Sequence, residues 1–478
     1  MGREITGGEF QQTDFDRFAE RLRAETETLR GHFAHERFSR RHGVGGYELE
    51  AWLVDGANQP APVNESFMAR MPSETVTPEL ARFNFELNST PLAVTDDALG
   101  RMHDELAANW QRCSEAAREL DASPVMVGIL PTVTDAMLGL ANMSPRTRFQ
   151  ALNEQILRAR RDRPISLDIQ GAEFLHTEHQ DVMLEAATTS FQVHLQVAPE
   201  RAARYYNAAM VLSGPMVGVS ANSPFLFGKR LWRETRVPLF EQAVAAGGFG
   251  DAAFGPVKRV TFGNGYVRRS LLEVFEENLA HYPVLLPVDL DEDDPATLPH
   301  LRLHNGTLWR WNRPLLGFDD DGKPHLRIEH RVIPAGPSVV DTMANAALFY
   351  GLAHALAEQA EAPEAGLEFA TARENFYKAA KHGLEARLVW LDGRHWPLRE
   401  LLRERLLPAA REGLADQGCA AGDVERFMGI IGERVRTAQT GAAWQIAYTS
   451  THGRDMAGLV GAYRQRQDSG APVHEWSV

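Results

Sequence analysis

The residue pattern predicts an α+β protein built on a mostly antiparallel sheet, with a helical C-terminal part. Three observations carry this. Short stretches of apolar–polar alternation read as half-buried strands, the clearest being residues 191–197, where Phe191, Val193, Leu195 and Val197 alternate with Gln192, His194 and Gln196. These stretches alternate with helical stripes in no regular β–α–β rhythm, which argues against a parallel sheet. From about residue 362 the spacing is mostly helical, up to a tail containing Gly and Pro.

Each element has its own signal. In residues 1–40, Phe15, Phe18, Ala19, Leu22 and Leu29 form a helical stripe. Gly43, Gly45 and Gly46 interrupt it, residues 47–55 read as a strand, and Asp55-Gly56 with Asn58 turns the chain. Residues 82–87 alternate as a second strand. Thr95 is the expected N-cap of a helix to about Leu120, with Asp96 and Asp97 in its first turn. Residues 125–130 read as a short strand, 131–164 as loop then helix, and 199–211 as helix. Glycines between 247 and 265 mark a loop-rich middle, and the acidic stretch 289–294 a surface excursion. Residues 326–333 alternate again, and Asp341 is the expected cap of a buried helix to about Glu358.

Composition excludes several classes. With 44% hydrophobic and 24% charged residues, the chain can bury a sizeable core without metal or disulfide staples. A formal net charge of −14 with no Lys/Arg block argues against a nucleic-acid binder. Two cysteines, Cys113 and Cys419, give neither a disulfide framework nor a CxxC site, so free thiols in a cytoplasmic protein are expected. The first thirty residues lack the apolar core of a secretory signal. Residues 2–6 fit only a short myristoylation pattern. Residues 205–228 carry no charge over a membrane-spanning length, but Asn207, Ser213, Pro215, Asn222 and Pro224 read as a buried, turning segment; no membrane association is expected.

Several strands place an acid or an imidazole within an apolar alternation. Glu48 and Glu50 leave one strand face, roughly 7 Å apart by strand rise. Glu86 sits between Phe85 and Leu87, and His194 between Val193 and Leu195. Glu329 shares its face with Arg327 and Arg331. Taken singly, each reads as an ordinary solvent-facing or hydrogen-bonded residue. Gathered on one sheet they would form an oxygen-rich set with one imidazole, suited to Mg²⁺ or Mn²⁺ rather than zinc. No GxxxxGK[ST], HExxH or GxSxG motif occurs.

Six segments in order carry a resemblance. They are Gly46-Tyr47-Glu48-Leu49-Glu50, Phe85-Glu86-Leu87-Asn88-Ser89-Thr90-Pro91 and Ser190-Phe191-Gln192-Val193-His194. The others are Ser220-Ala221-Asn222-Ser223-Pro224 with Arg233 and Arg236, then Arg327-Ile328-Glu329-His330-Arg331, and Ala379-Ala380-Lys381-His382-Gly383-Leu384. Together they resemble the type 2 glutamate–cysteine ligase family over about residues 43–390. His330, Val332 and the segment 298–321 depart from the usual pattern.

The resemblance implies a glutamine-synthetase-like catalytic fold: a curved antiparallel sheet forming a funnel, with ATP entering from one side and the amino acid from the other. It implies a ligase catalytic domain over residues 1–361, with the mostly helical 362–478 packed on it. Glu48, Glu50, Glu86, His194 and Glu329 match its metal ligands, and Glu79 a further acidic one. Glu329 and Arg331 match its catalytic strand, with Arg331 at the transferring phosphoryl group. Arg233, Arg236, Asn222 and Ser223 match its substrate-binding segment. The implied reaction joins the γ-carboxylate of glutamate to an amine through an acyl phosphate, with ATP as co-substrate, Mg²⁺ or Mn²⁺ as cofactor and cysteine as the leading amine. The readings left open are a γ-glutamyl or peptide-like ligase with another amine, a non-catalytic metal-binding regulatory protein of this fold, and a metallohydrolase. A homo-oligomer is compatible with all of them.

Overall fold

A computed structural model describes residues 10–71, 73, 75–246, 258–290 and 292–478. Its centre is one curled, eight-stranded antiparallel sheet. The strands are β1 (Val44–Asp55), β2 (Val76–Pro78), β3 (Asn84–Asn88), β4 (Leu92–Ala93), β5 (Ala122–Val125), β6 (Ser190–Val197), β7 (Asn312–Phe318) and β8 (Pro324–Pro334). The order is β7-β8-β6-β1-β3-β2, and β4 and β5 also pair with β1.

The 12-residue β1 organises the sheet. Its first half pairs with β6 and its second half with β5, while β3 spans the middle of the opposite edge. Register then puts polar side chains on one face. Glu50 lies opposite Glu86, Glu48 opposite Gln192, and His194 opposite Glu329, which in turn faces Arg313. The other face carries Tyr47, Leu49, Ala51, Phe85, Phe191, Val193 and Leu195, all buried. Helices α1 (Ala98–Arg118), α2 (Pro199–Ser220) and α3 (Val339–Ala357) cover that face. The hydroxyl of Tyr350 in α3 donates to the carbonyls of Gly46 (2.9 Å) and His194 (3.3 Å), fixing helix to sheet beneath the acids.

Past residue 362, Phe369–His382 packs on α2, and Leu407–Asp416 and Ala421–Thr437 pack on α3. The crossing of Leu407–Asp416 over α3 is close enough to require glycine. A Cβ at Gly413 would lie 2.1 Å from the Gly351 carbonyl oxygen, and one at Gly351 would lie 2.4 Å from that of Ala410.

Four local expectations need correction. Thr95 is not the N-cap: α1 starts at Ala98 after Asp97, whose side chain makes no capping bond. Asp341 does not cap α3 either. Ser338 does, accepting from the Asp341 N–H, while Asp341 binds the Ser338 hydroxyl and the buried Arg434. Residues 126–130 leave the sheet: β5 ends at Val125, opposite Trp52, and from Leu49 back that edge of β1 is taken by β6. The helix expected over 199–211 runs on through Pro215 to Ser220, since the loss of one N–H donor is outweighed by burial on every side. No described helix is long and apolar enough to cross a membrane. The myristoylation pattern and the glycines at 247–255 lie outside the described residues.

Candidate active site

A cavity of about 820 Å³ opens over the polar face of the sheet. Glu48, Glu50, Glu86 and Arg331 line it from their strands, and Glu79 from just beyond the end of β2. His194 and Glu329 sit beside Glu48: one ligand atom from each of the three lies within 4.8 Å of the other two.

The first group is held from both sides. His194 Nε2 lies 3.5 Å from Glu48 and 3.8 Å from Glu329, too far for hydrogen bonds, and both His194 Nε2 and Glu48 Oε2 are buried without a partner. Glu329 is fully buried between two arginines. Arg331 Nε donates to its Oε1 (2.7 Å), and Arg313 Nη2 to its Oε2 (2.8 Å). Burial opposes its charge, but the Arg313 and Arg331 guanidiniums win and hold the carboxyl well below its usual range. Burial, then the cationic Arg327, pushes His194 down to about 3, so its imidazole is neutral and able to act as a ligand.

The second group lies towards β2 and β3. Glu50 accepts from the Ser190 N–H (2.7 Å) and from Gln192 (2.9 Å). Glu86 accepts from Asn88 (2.9 Å) and Thr77 (3.2 Å). Burial, then the charge of Glu86, raises Glu50 to about 7 and Glu79 to about 8. Glu185, which no sequence pattern singled out, lines the same cavity from a 3₁₀ turn, Glu185–Ala187. Burial and then Glu79 raise it to about 8. Glu48 is raised by burial, Glu86 and Glu329.

Crowded carboxylates and orphaned ligand atoms are the environment that a divalent cation relieves. The sign of the pH dependence follows. The folded state keeps protons on Glu50, Glu79 and Glu185 up to about pH 7–8, whereas unfolded carboxyls release them near 4.5. Stability of chelator-treated protein therefore falls as pH rises across that window and levels off above it. The melting temperature of chelated protein is expected to drop by about 2 °C or more between pH 5.5 and 8. Adding Mg²⁺ should raise it more at pH 8 than at 5.5; a flat profile would contradict the crowded site.

The substrate-binding candidates are placed differently from one another. Arg236 lines the cavity over the ring of Trp311. It donates to Glu234 (Nε, 3.2 Å) and to the carbonyls of Arg331 (3.2 Å) and Val332 (2.6 Å), which leaves two of its five N–H groups for a ligand. Asn222, Ser223 and Arg233 do not line the cavity. Asn222 and Ser223 are wholly buried and hold the turn behind it. Asn222 donates to the carbonyl of Ala335 and the hydroxyl of Tyr463, both at 2.8 Å, and Ser223 to Glu234 at 2.7 Å. Arg233 packs its stem against Gly383. His330 faces the opposite side of β8, bonded to Asn312 (2.7 Å) and stacked on Phe349 at 4.2 Å, so this departure lies in the core. Another group of potential ligands, His42, His354 and Glu358, is tied together by the Tyr205 hydroxyl and by Arg201, away from the cavity lining.

The curled antiparallel sheet presents buried carboxylates, one imidazole and several arginines, and its family match makes the protein an ATP-dependent ligase that forms a C–N bond. The model of glutamate-cysteine ligase family 2 matches residues 44–468, and the chain belongs to that family. Among solved structures, the chain is similar to the glutamate–cysteine ligase of Francisella tularensis in complex with AMP, at 12% identity and a TM-score of 0.50, covering 90% of each chain. It is also similar to a bifunctional glutathione synthetase from Pasteurella multocida, at 10% identity and a TM-score of 0.53, covering 92% of this chain and 55% of that one. At such identities these two likenesses speak for the fold alone. No curated protein matches the sequence.

Proposed function

We propose that this ligase activates the γ-carboxylate of glutamate with ATP and passes the acyl group to an amine. The observation that carries this reading is the division of one cavity between arginines and carboxylates. Arg236, Arg313, Arg327 and Arg331 offer a seat for phosphates and a substrate carboxylate, beside acids able to hold cations. Glu48, His194 and Glu329 would hold one divalent cation, and Glu50, Glu79 and Glu86 line the same cavity as candidate ligands of a second, with Mg²⁺ or Mn²⁺ fitting the donor set. Such ions supply charge neutralisation on the phosphates when bound.

A γ-carboxylate oxygen attacks the γ-phosphorus, the bond to the ADP oxygen breaks, and an acyl phosphate forms. Arg331, aimed from the face of β8, stabilises the phosphoryl oxygens as charge shifts. The two uncommitted N–H groups of Arg236 bind a substrate carboxylate. Asn222 and Ser223 act behind it, as supports. Residues 1–361 hold this surface and residues 362–478 brace it. Two buried, unpaired cysteines fit a cytoplasmic location. Cysteine is the amine that the resemblance implies.

The test uses glutamate labelled with ¹⁸O in its γ-carboxylate, with ATP, Mg²⁺ and a pool of amines. Glutamate-dependent release of phosphate carrying one ¹⁸O is expected. Phosphate release that ignores glutamate, or that carries no label, would sink the acyl-phosphate route.

A further inference from the structure

We propose that Gln192 is a positioning residue whose side-chain amide sets Arg331 and Glu50 in one fixed arrangement, the arginine for the phosphoryl group and the acid for a cation. This rests on the ligase reading of the same site and gives a role to a side chain which that reading leaves out.

Gln192 lies on β6, two residues before His194 and so on the same face, and it pairs with Glu48 of β1. It is buried and lines the cavity. Its Nε2 donates to Glu50 Oε1 (2.9 Å), and its Oε1 accepts from Arg331 Nη2 (2.9 Å). Glu50 belongs to β1 and Arg331 to β8, and β6 runs between those strands. One amide thus links the acid and the arginine across the polar face.

The two neighbours fix which way the amide points. Reversed, it would set its NH₂ against the guanidinium and its oxygen against the carboxylate, so only the observed orientation satisfies both. The guanidinium is fixed in turn. Its Nε and Nη2 lie 2.7 and 2.6 Å from Glu329 Oε1, and Nη2 also donates to Gln192. Among the described residues nothing bonds Nη1, whose two N–H groups are left for a ligand. On the other side, Glu50 is held at both oxygens, by Gln192 and by the Ser190 N–H (2.7 Å), and each oxygen keeps a lone pair for a cation.

The residue type follows from the charges around it. A carboxylate at this position would add to the crowding of Glu48 and Glu50, and a cation would repel Arg331. A neutral amide donates to one side and accepts from the other without adding charge. Without it, Arg331 keeps Glu329 but loses the bond that sets the roll of its plane, and Glu50 loses one of its two anchors.

The experiment uses the full chain with ATP, Mg²⁺, glutamate and hydroxylamine, which reports the acyl phosphate as its hydroxamate. Gln192→Met keeps the length of the side chain and removes both bonds. Its kcat should fall about 10-fold, with the KM for ATP and for glutamate within about 3-fold of wild type. Without ATP, the Mg²⁺ concentration at the midpoint of the rise in melting temperature should increase about 10-fold. Combined with Arg331→Ala, Gln192→Met should cost less than about 3-fold more in kcat, because a residue that acts through Arg331 has nothing left to position. Gln192→Glu keeps the acceptor for Arg331 and should recover kcat to at least about 3-fold above Gln192→Met. Gln192→Ala gives the same readings should Gln192→Met fail to fold. Hydroxamate from the wild type with kcat or the Mg²⁺ midpoint unmoved in the variant, or a kcat loss that repeats in full beside Arg331→Ala, would overturn the inference while the ligase reading stands. No hydroxamate from the wild type would overturn both.

Discussion

Arg331→Ala is expected to lower kcat about 10²-fold or more, with little change in the KM for the acid at saturating ATP. The side chain is buried, and Glu329 and Gln192 fix its plane (2.7 and 2.9 Å), so its charge is aimed without reorganisation. In the proposed reaction that charge meets oxygens whose negative charge grows only as the phosphoryl group moves. Its loss should therefore appear in kcat rather than in binding. Glu329 keeps Arg313 as a partner, so the fold should survive. Arg331→Lys should rescue poorly, since an ammonium cannot span Glu329 and Gln192 as a planar fork does. Steady-state kinetics alongside thermal melts decide it: wild-type turnover in Arg331→Ala would remove Arg331 from the mechanism.

Glu234→Ala should have the largest effect on stability, a loss of about 3–5 kcal/mol, because it strands a buried guanidinium. Glu234 is fully buried and accepts from the Asn222 N–H (2.8 Å), the Ser223 hydroxyl (2.7 Å) and Arg236 Nε (3.2 Å). Denaturant titration of the variant measures the loss. The double replacement Glu234→Leu/Arg236→Met should recover much of the stability and none of the activity, because it removes the unpaired charge together with the substrate contact. A single variant as stable as wild type would show that Arg236 does not depend on Glu234.

Much of the sheet was legible because its signal is local. In β6, and in β8 from Pro324 to Glu329, every second residue is apolar and the intervening ones are polar, so the strands, and the face that carries His194 and Glu329, follow from period two alone. The acids of β1 and β3 were readable for the same reason. What escaped depends on contacts distant in sequence. Arg313 matters because its strand pairs with β8 in the register that sets it opposite Glu329, and registers between strands leave no local trace. Glu185 sits on a 3₁₀ turn with no periodicity, and Glu234 is one acid in a charged stretch until folding buries it. Asn222 and Ser223 were read as substrate-binding from their motif, but a motif does not tell a residue that touches ligand from one that holds the turn behind the cavity. Thr95 and Asp341 were good capping residues one turn or less from where tertiary packing set the helix starts.

The turn at Asn222 also has a consequence for how the enzyme is made. Its side chain is gripped by Gln445 (3.0 Å) and Tyr463 (2.8 Å), and a Cβ at Gly441 would come within 2.0 Å of its Oδ1. Those partners are synthesised more than two hundred residues after it. A nascent chain on the ribosome thus carries every acid of the cavity long before it can lock the turn that seats Arg236. The turn behind the cavity is therefore complete only when the last helices have closed over their distant partner.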